Sequence, residues 1–281
     1  VRDAAYSLLT ESDLATGHLQ AAEFLAAACE TNAAIIAEHF ERSGDKQRAS
    51  EYYLRAAEDS LERGDYAGAA RQVDCGIGCG PDGEALGLLH SIGITARYYL
   101  NRFEGIAEAW TVALKLLRPG SLGWCRSIHG AIIAALGRQD AAAMSELLSL
   151  MLHTEPEPNA RASYIETIGW VSTGLVVAAP DAMMQMIGTR LSAVVELAAQ
   201  STPAILRYLH FYEASMRLWR YPQPWRVLHV SREGLRLSSE VGDHKLFLGF
   251  SSAGIEYAWL QLGDLDGARQ RLLSIEQQVT Q

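Results

Sequence analysis

Proline is scarce in this chain, 8 residues in 281, and cysteine is scarcer still, at 4. Cys29, Cys75, Cys79 and Cys125 are too few and too unevenly placed to staple a chain of this length, which fits a reducing cytoplasm better than a secreted disulfide scaffold. Positive charge is also short: 24 Lys and Arg stand against 33 Asp and Glu, a net charge of -9. A surface of that sign repels phosphate backbones, so nucleic acid is not an expected partner. Long apolar runs are missing. The longest mostly apolar stretch, Ile168 to Ala179, is broken by Gly169, Ser172, Thr173 and Gly174, and the chain has no basic, apolar, cleavable start, so no membrane segment is expected. Strand-like alternation of Val, Ile and Thr is almost absent as well, which argues against a sheet.

What is present is helix-forming. Hydrophobic residues make up 49% of the chain, enough for a continuous core, and Ala, Leu, Glu, Gln and Arg fill the long stretches between breaks. The breaks recur: Ser43-Gly44-Asp45, Arg63-Gly64-Asp65, Gly80-Pro81-Asp82-Gly83, Asn101-Arg102, Pro119-Gly120, Gly137-Arg138-Gln139-Asp140 and Pro156-Glu157-Pro158-Asn159. Ala179-Pro180-Asp181, Ser201-Thr202-Pro203, Pro222-Gln223-Pro224, Val241-Gly242-Asp243 and Leu262-Gly263-Asp264 continue the series. They fall about every 20 residues, so two helices make a unit of roughly 40, the spacing of a helical repeat array. Gly ends one helix in the left-handed conformation, and the Asp, Ser or Thr that follows caps the next. The proline-rich segment at Pro156 to Pro158 is expected to be stiff, and marks either a kink in one array or a boundary between two halves.

Within these segments the apolar spacing is that of a helix. Ala49, Tyr53 and Ala56 lie at i, i+4 and i+7, facing Ile36, Ala37 and Phe40 of the preceding helix, while Ala57 and Ser60 turn toward Ala69 and Val73 of the next. One helix, about Lys46 to Arg63, thus serves both sequence neighbours. The pattern Trp259, Gly263, Ala268, Leu272, Ile275 repeats the rhythm near the end. The expected fold is all-α: a right-handed α-solenoid of about 13 helices in antiparallel hairpins. Residues 1–30 read as helices joining a missing upstream module, 31–155 as repeats, and 156–281 as degenerate repeats of the same array. The chain opens at Val1 inside a stretch that reads as helix from Arg2 to Leu9, without an initiator Met, and is expected to be a fragment of a longer protein.

Ala37, Phe40, Gly44, Ala49, Tyr53 and Ala56 resemble the tetratricopeptide pattern, small and aromatic residues at fixed spacing across two helices. A narrower resemblance covers the first third. Arg2-Asp3-Ala4-Ala5-Tyr6-Ser7-Leu8-Leu9, His18, Ala21-Ala22-Glu23-Phe24-Leu25, Ala37-Glu38-His39-Phe40 and Tyr52-Tyr53-Leu54-Arg55-Ala56-Ala57 are similar to the segment that follows the AAA-type or STAND-type ATPase module of large bacterial signalling regulators. Such proteins carry a serine/threonine kinase, a nucleotide cyclase or a DNA-binding domain at one end. The resemblance implies a regulatory, partner-binding role, with ATP belonging to an upstream module. Here Leu14-Ala15-Thr16-Gly17 stands where family members carry arginines, so the contacts of those arginines are not carried over. This chain has no phosphate-binding Gly-x-x-x-x-Gly-Lys-Ser/Thr loop, nor any Gly-Lys pair.

Chemistry has little to stand on. Gly76, Gly78, Gly80 and Gly83 form a glycine-rich stretch, but a helix and not a strand precedes them, so they read as a turn rather than a phosphate cradle. Cys75 and Cys79 share a helical face without the further ligands a zinc site needs, and read as buried small hydrophobes. His18, His39 and His90 lie on predicted helices without metal spacing, and Arg63-Gly64-Asp65 is a turn. No catalytic residue, cofactor-binding residue or metal ligand is expected in this chain. One region stands out. From Arg207 to Arg236 there are six arginines (Arg207, Arg217, Arg220, Arg226, Arg232, Arg236) against Glu213 and Glu233, interleaved with Tyr208, Phe211, Tyr212, Trp219, Tyr221 and Trp225. Arg217, Trp219, Arg220, Tyr221, Trp225 and Arg226 are the candidate partner-binding residues, suited to an acidic peptide, an acidic protein or an adjoining switch domain. The alternative is aromatic core beneath a solvated arginine face. Three functions stay open: an interaction scaffold, a small-ligand sensor with a pocket between hairpins, and the regulatory arm of a parent kinase or cyclase.

Overall fold

The computed structural model describes residues 9–176, 179–197, 203–242, 244–251 and 257–279. Among them every regular element is a helix: α1 (Glu11–Ala27), α2 (Ala33–Ser43), α3 (Lys46–Glu62), α4 (Tyr66–Gly78), α5 (Gly83–Tyr99), α6 (Ile106–Leu116), α7 (Leu122–Gly137) and α8 (Ala141–His153). A 3-10 turn at Pro158–Ala160 leads into α9 (Arg161–Leu175), α10 (Asp181–Leu197) and α11 (Pro203–Ser215). A π turn at Met216–Arg220 precedes α12 (Pro224–Glu240), α13 (His244–Gly249), α14 (Tyr257–Gln261) and α15 (Leu265–Val279). No described helix is long and apolar enough to cross a membrane.

The turns are built from one repeated device. At Gly44-Asp45 the glycine has φ 87°, its N–H bonds the carbonyl of Glu41, and the Asp45 N–H reaches back to Phe40. Gly64-Asp65 bonds Leu61 and Ser60 in the same way, and Gly263-Asp264 bonds Leu260 and Trp259. These are paired closures that satisfy the orphan carbonyls at a helix end. Each aspartate then accepts from the third residue of the next helix: Arg48 at 3.0 Å, Gly68 at 2.8 Å and Gly267 at 2.8 Å. Gln139-Asp140 makes the same turn without glycine, Gln139 taking φ 56° and Asp140 capping Ala143 at 3.1 Å. The glycine at this break, Gly137, is instead the last residue of α7.

Two compact units divide the chain, Val1–Ala134 and Ala135–Gln281, and the division falls inside α7. In the first unit α1 packs on α2, α2 on α3, α3 on α4, α4 on α5 and α5 on α6, with a further contact of α3 on α5. One core cluster joins Ala22, Ile36, Ala37, Phe40, Ala49, Tyr53 and Cys79; a second joins Ala57, Ala69, Val73, Leu89, Ile92 and Ala96. α3 supplies Ala49 and Tyr53 to the first and Ala57 to the second, which is the two-sided role its sequence predicts. The phenol of Tyr53 donates to Glu41 Oε2 at 2.5 Å, and burial with that hydrogen bond pushes it well above the usual tyrosine range.

The glycine-rich stretch divides. Gly76 and Gly78 are helical, whereas Gly80 and Gly83 take positive φ in the turn. Gly76 is buried because α4 presses there on Leu89 and Tyr53, 3.0 and 3.2 Å from where a Cβ would sit. Cys79 is buried as expected, but Cys75 is exposed, because it sits toward the solvent side of the last turn of α4.

In the second unit α9 contacts α10 and α11, α11 packs on α12, and α12 contacts α13 and α14, which in turn meets α15. Here the helix ends borrow side chains from distant positions. Arg190 donates to the Thr154 carbonyl at 2.8 Å, to Glu155 at 2.8 Å and to the Tyr164 hydroxyl at 3.1 Å, and that hydroxyl donates to the Met151 carbonyl at 2.8 Å. The carbonyl end of α8, which carries partial negative charge, is thereby closed by a cation and a phenol.

Candidate functional site

The arginine-rich region opens out into separate roles. Arg220, at the end of the π turn, donates to the carbonyls of Val176 (2.9 Å) and Ala179 (2.5 Å) and to Asp181 Oδ1 (2.5 Å), and its side chain is 14% exposed. It closes the end of α9 as Arg190 closes α8, and its charge is spent inside the chain. Its guanidinium holds the Asp181 carboxyl below the usual range. Tyr221 is exposed and donates to Asp181 at 3.2 Å. Arg226 is exposed and paired with Glu213 at 2.7 Å, and Arg236 is held between Glu233 and Glu240. Arg207 lies over the ring of Tyr208. Arg217 is half-buried in the π turn, and the Trp219 side chain lies outside the described residues.

Trp225 is different. It is 73% exposed at the first turn of α12, a large apolar side chain left in solvent. The same helix then presents Leu228, His229, Arg232 and Leu235, at i+3, i+4, i+7 and i+10 from Trp225, so they share one face. Opposite them stand Trp259 of α14 and Leu262 and Asp264 of the following turn. All of these but Leu235 line a recess of about 360 Å³, and a second of about 640 Å³ that shares part of that lining adds Leu235 and Asp266, Gly267, Gln270 and Arg271 of α15. Arg232, Trp259 and Asp264 line both.

The floor is apolar: Val227 and Leu228 are buried, with Leu235, Trp259 and Leu262 packed against them. Trp259 is fixed by the backbone opposite, since Gly267 leaves room for its ring where any Cβ would collide. Asp264 is committed to capping α15. Arg232 is exposed and makes no ion pair among the described residues, unlike Arg220, Arg226 and Arg236. The groove therefore offers an exposed guanidinium in one lining with two indoles, a place for a carboxylate flanked by an apolar group.

Of the five predicted residues whose side chains are described, Trp225 alone lines this groove; Arg232 lies in the same arginine-rich region, the sequence marks Trp259 and Asp264 only as packing and turn residues, and it does not single out His229. Trp259 and Asp264 are more than twenty residues away in sequence, and only the return of α14 along α12 joins them. Among the described residues no group of three or more His, Cys, Asp or Glu is placed to hold a metal ion. The chain matches no family model, no curated protein and no solved structure.

Proposed function

We propose that this chain is a protein-interaction scaffold, an α-solenoid of tetratricopeptide-like hairpins that holds an acidic peptide segment of a partner in the α12–α14–α15 groove. The architecture is supported by helices that pack on their sequence neighbours and by the recurring Gly-Asp closure. Such an array presents preformed surfaces, so a peptide binds without reordering the receptor. One observation carries the functional reading: Arg232 is exposed, makes no ion pair among the described residues, and lines the same recess as Trp225 and Trp259. Buried aromatics and arginine dominate binding energy at interfaces, and a carboxylate meeting a guanidinium forms the stronger, charge-assisted hydrogen bond.

The recess is shallow on the side of Trp225, which favours an extended segment over an enclosed small molecule. As the resemblance of its first third implies, the chain is the repeat region of a bacterial signalling regulator of the ATPase type, working in the cytoplasm by holding a partner and not by catalysis. A phage-displayed peptide library panned against the chain tests the site. Enriched peptides should carry Asp or Glu beside an apolar residue, should quench tryptophan fluorescence, and should lose binding to Arg232→Glu with circular dichroism unchanged. No enrichment, or equal binding to Arg232→Glu, refutes the reading.

A further inference from the structure

A recess of another character lies in the first unit. It holds about 380 Å³ between the start of α2, the second half of α3 and the middle of α4. From α3 come Ala56, Asp59, Ser60 and Arg63, at i, i+3, i+4 and i+7, which is one helical face. Asn32 and the first residues of α2 form one wall, and Gln72 of α4 forms another. The volume is that of a small-molecule site, but the lining is mainly polar, with three alanines as its apolar part.

The polar side chains here are uncommitted. Asp59 and Arg63 make no ion pair among the described residues, not even with each other across one helical turn. The Ser60 hydroxyl is without a hydrogen bond among the described residues although the residue is only 7% exposed, and a buried hydroxyl left so is costly. Asp59 is poorly placed for stability, half-buried near the carbonyl end of α3, where the helix dipole disfavours a carboxylate. The backbone donors at the start of α2 are, by contrast, all taken. Asn32 N–H goes to Glu30, Ala33 N–H to the Thr31 carbonyl, Ala34 N–H to the Asn32 side chain and Ile35 N–H to the Asn32 carbonyl. The recess therefore offers side chains and not a helix end.

We propose that this recess binds a small zwitterion, a free polar α-amino acid. Such a molecule carries its carboxylate and its ammonium on one carbon, and Arg63 and Asp59 stand one turn apart on one helix face, so both charges are met at once. The carboxylate accepts from the Arg63 guanidinium and the Ser60 hydroxyl, and the ammonium donates to Asp59, all of them charge-assisted bonds. An anion alone would face the Asp59 charge and a cation alone that of Arg63, so the pair selects a molecule bearing both. The amide of Asn32, whose oxygen already caps Ala34, keeps its NH2 for the ligand, and Gln72 adds a second amide. Three alanines give little apolar surface, so a polar ligand side chain fits better than a large hydrophobic one. Occupancy would tie the α2–α3 hairpin to α4, and the site stands whatever the groove of the second unit holds.

Amide NMR of the whole chain, titrated separately with L-glutamine, L-asparagine, L-serine and L-leucine, reads this directly. At least one of the three polar amino acids should give saturable shifts at Asn32–Ala34, Ser60–Arg63 and the Gln72 side chain, and leucine should bind more weakly. The N-acetyl and methyl-ester forms of that amino acid each lack one charge, and each should bind at least about tenfold more weakly. Arg63→Gln and Asp59→Asn should weaken binding as much, with circular dichroism and melting temperature of the free chain unchanged, since neither side chain has a partner to lose. Should a variant fail to fold, the blocked ligands on the unmodified chain still decide the matter. The proposal is overturned by the absence of saturable shifts at these residues, or by shifts confined to the Trp225 and Trp259 groove. Equal binding of the blocked forms, of leucine or by Arg63→Gln overturns it too.

Discussion

Replacing Ala49 by Leu perturbs the closest approach of α2 and α3. Ala49 is wholly inaccessible to solvent in the cluster with Ile36, Ala37, Phe40 and Tyr53. Leu adds three heavy atoms where the neighbours leave no exposed direction to escape, so α2 must shift or a ring must leave its rotamer, at a cost of about 1–3 kcal/mol. The first compact unit spans Val1–Ala134, and for a unit of that size the cost corresponds to a fall in Tm of about 4–12 °C. Differential scanning calorimetry measures it. A second substitution sharpens the test. Ile36→Ala alone opens a cavity and costs about 2–5 kcal/mol, but combined with Ala49→Leu the added atoms have space to occupy. The double variant should then be more stable than the sum of the two changes allows. A Tm for Ala49→Leu equal to that of the parent, or strict additivity in the double variant, would refute the packing argument.

Three further outcomes follow from the geometry. Arg220→Ala should lower the melting temperature because the carbonyls of Val176 and Ala179 lose their donor, whereas Arg232→Ala should leave it unchanged; equal effects in calorimetry would contradict the division of roles. Asp45→Ala removes the cap of α3 and should cost about 0.5–2 kcal/mol by urea denaturation. The Arg48 backbone N–H, and then its side chain, hold the Asp45 carboxyl below its usual value, so its contribution is present above about pH 4 and lost as pH falls through the lower folded value. Acid titration of Asp45→Ala should lack that step. A thiol reagent applied to the native chain should modify Cys29 and Cys75 and spare Cys79 and Cys125 until the chain unfolds; mass spectrometry of the labelled peptides reads the result.

The helices and most of their turns were legible because they are local. Gly44-Asp45, Gly64-Asp65 and Gly263-Asp264 carry their own instructions, a residue that accepts positive φ followed by a side chain that caps. The two-sided helix Lys46–Glu62 was legible for the same reason, since its i, i+4 and i+7 spacing encodes which face is buried. Less legible were turns where the chain departs from type, such as Gln139 at positive φ or the π turn at Met216–Arg220.

The amino-acid order by itself determined that this protein is helical, where its segments start and stop, and that one stretch is rich in arginine and aromatics. Tertiary structure alone decided what each arginine does: Arg220 is taken up by the end of α9, Arg226 by Glu213, and Arg232 is left exposed in a recess that Trp225 and Trp259 also line. It alone brought His18 to within 2.9 Å of His39. The physical reason is range. Capping and periodicity act over a few residues and are written in the local sequence, whereas pairing of charges and rings depends on which distant carbonyl, carboxylate or imidazole the packed helices carry into reach.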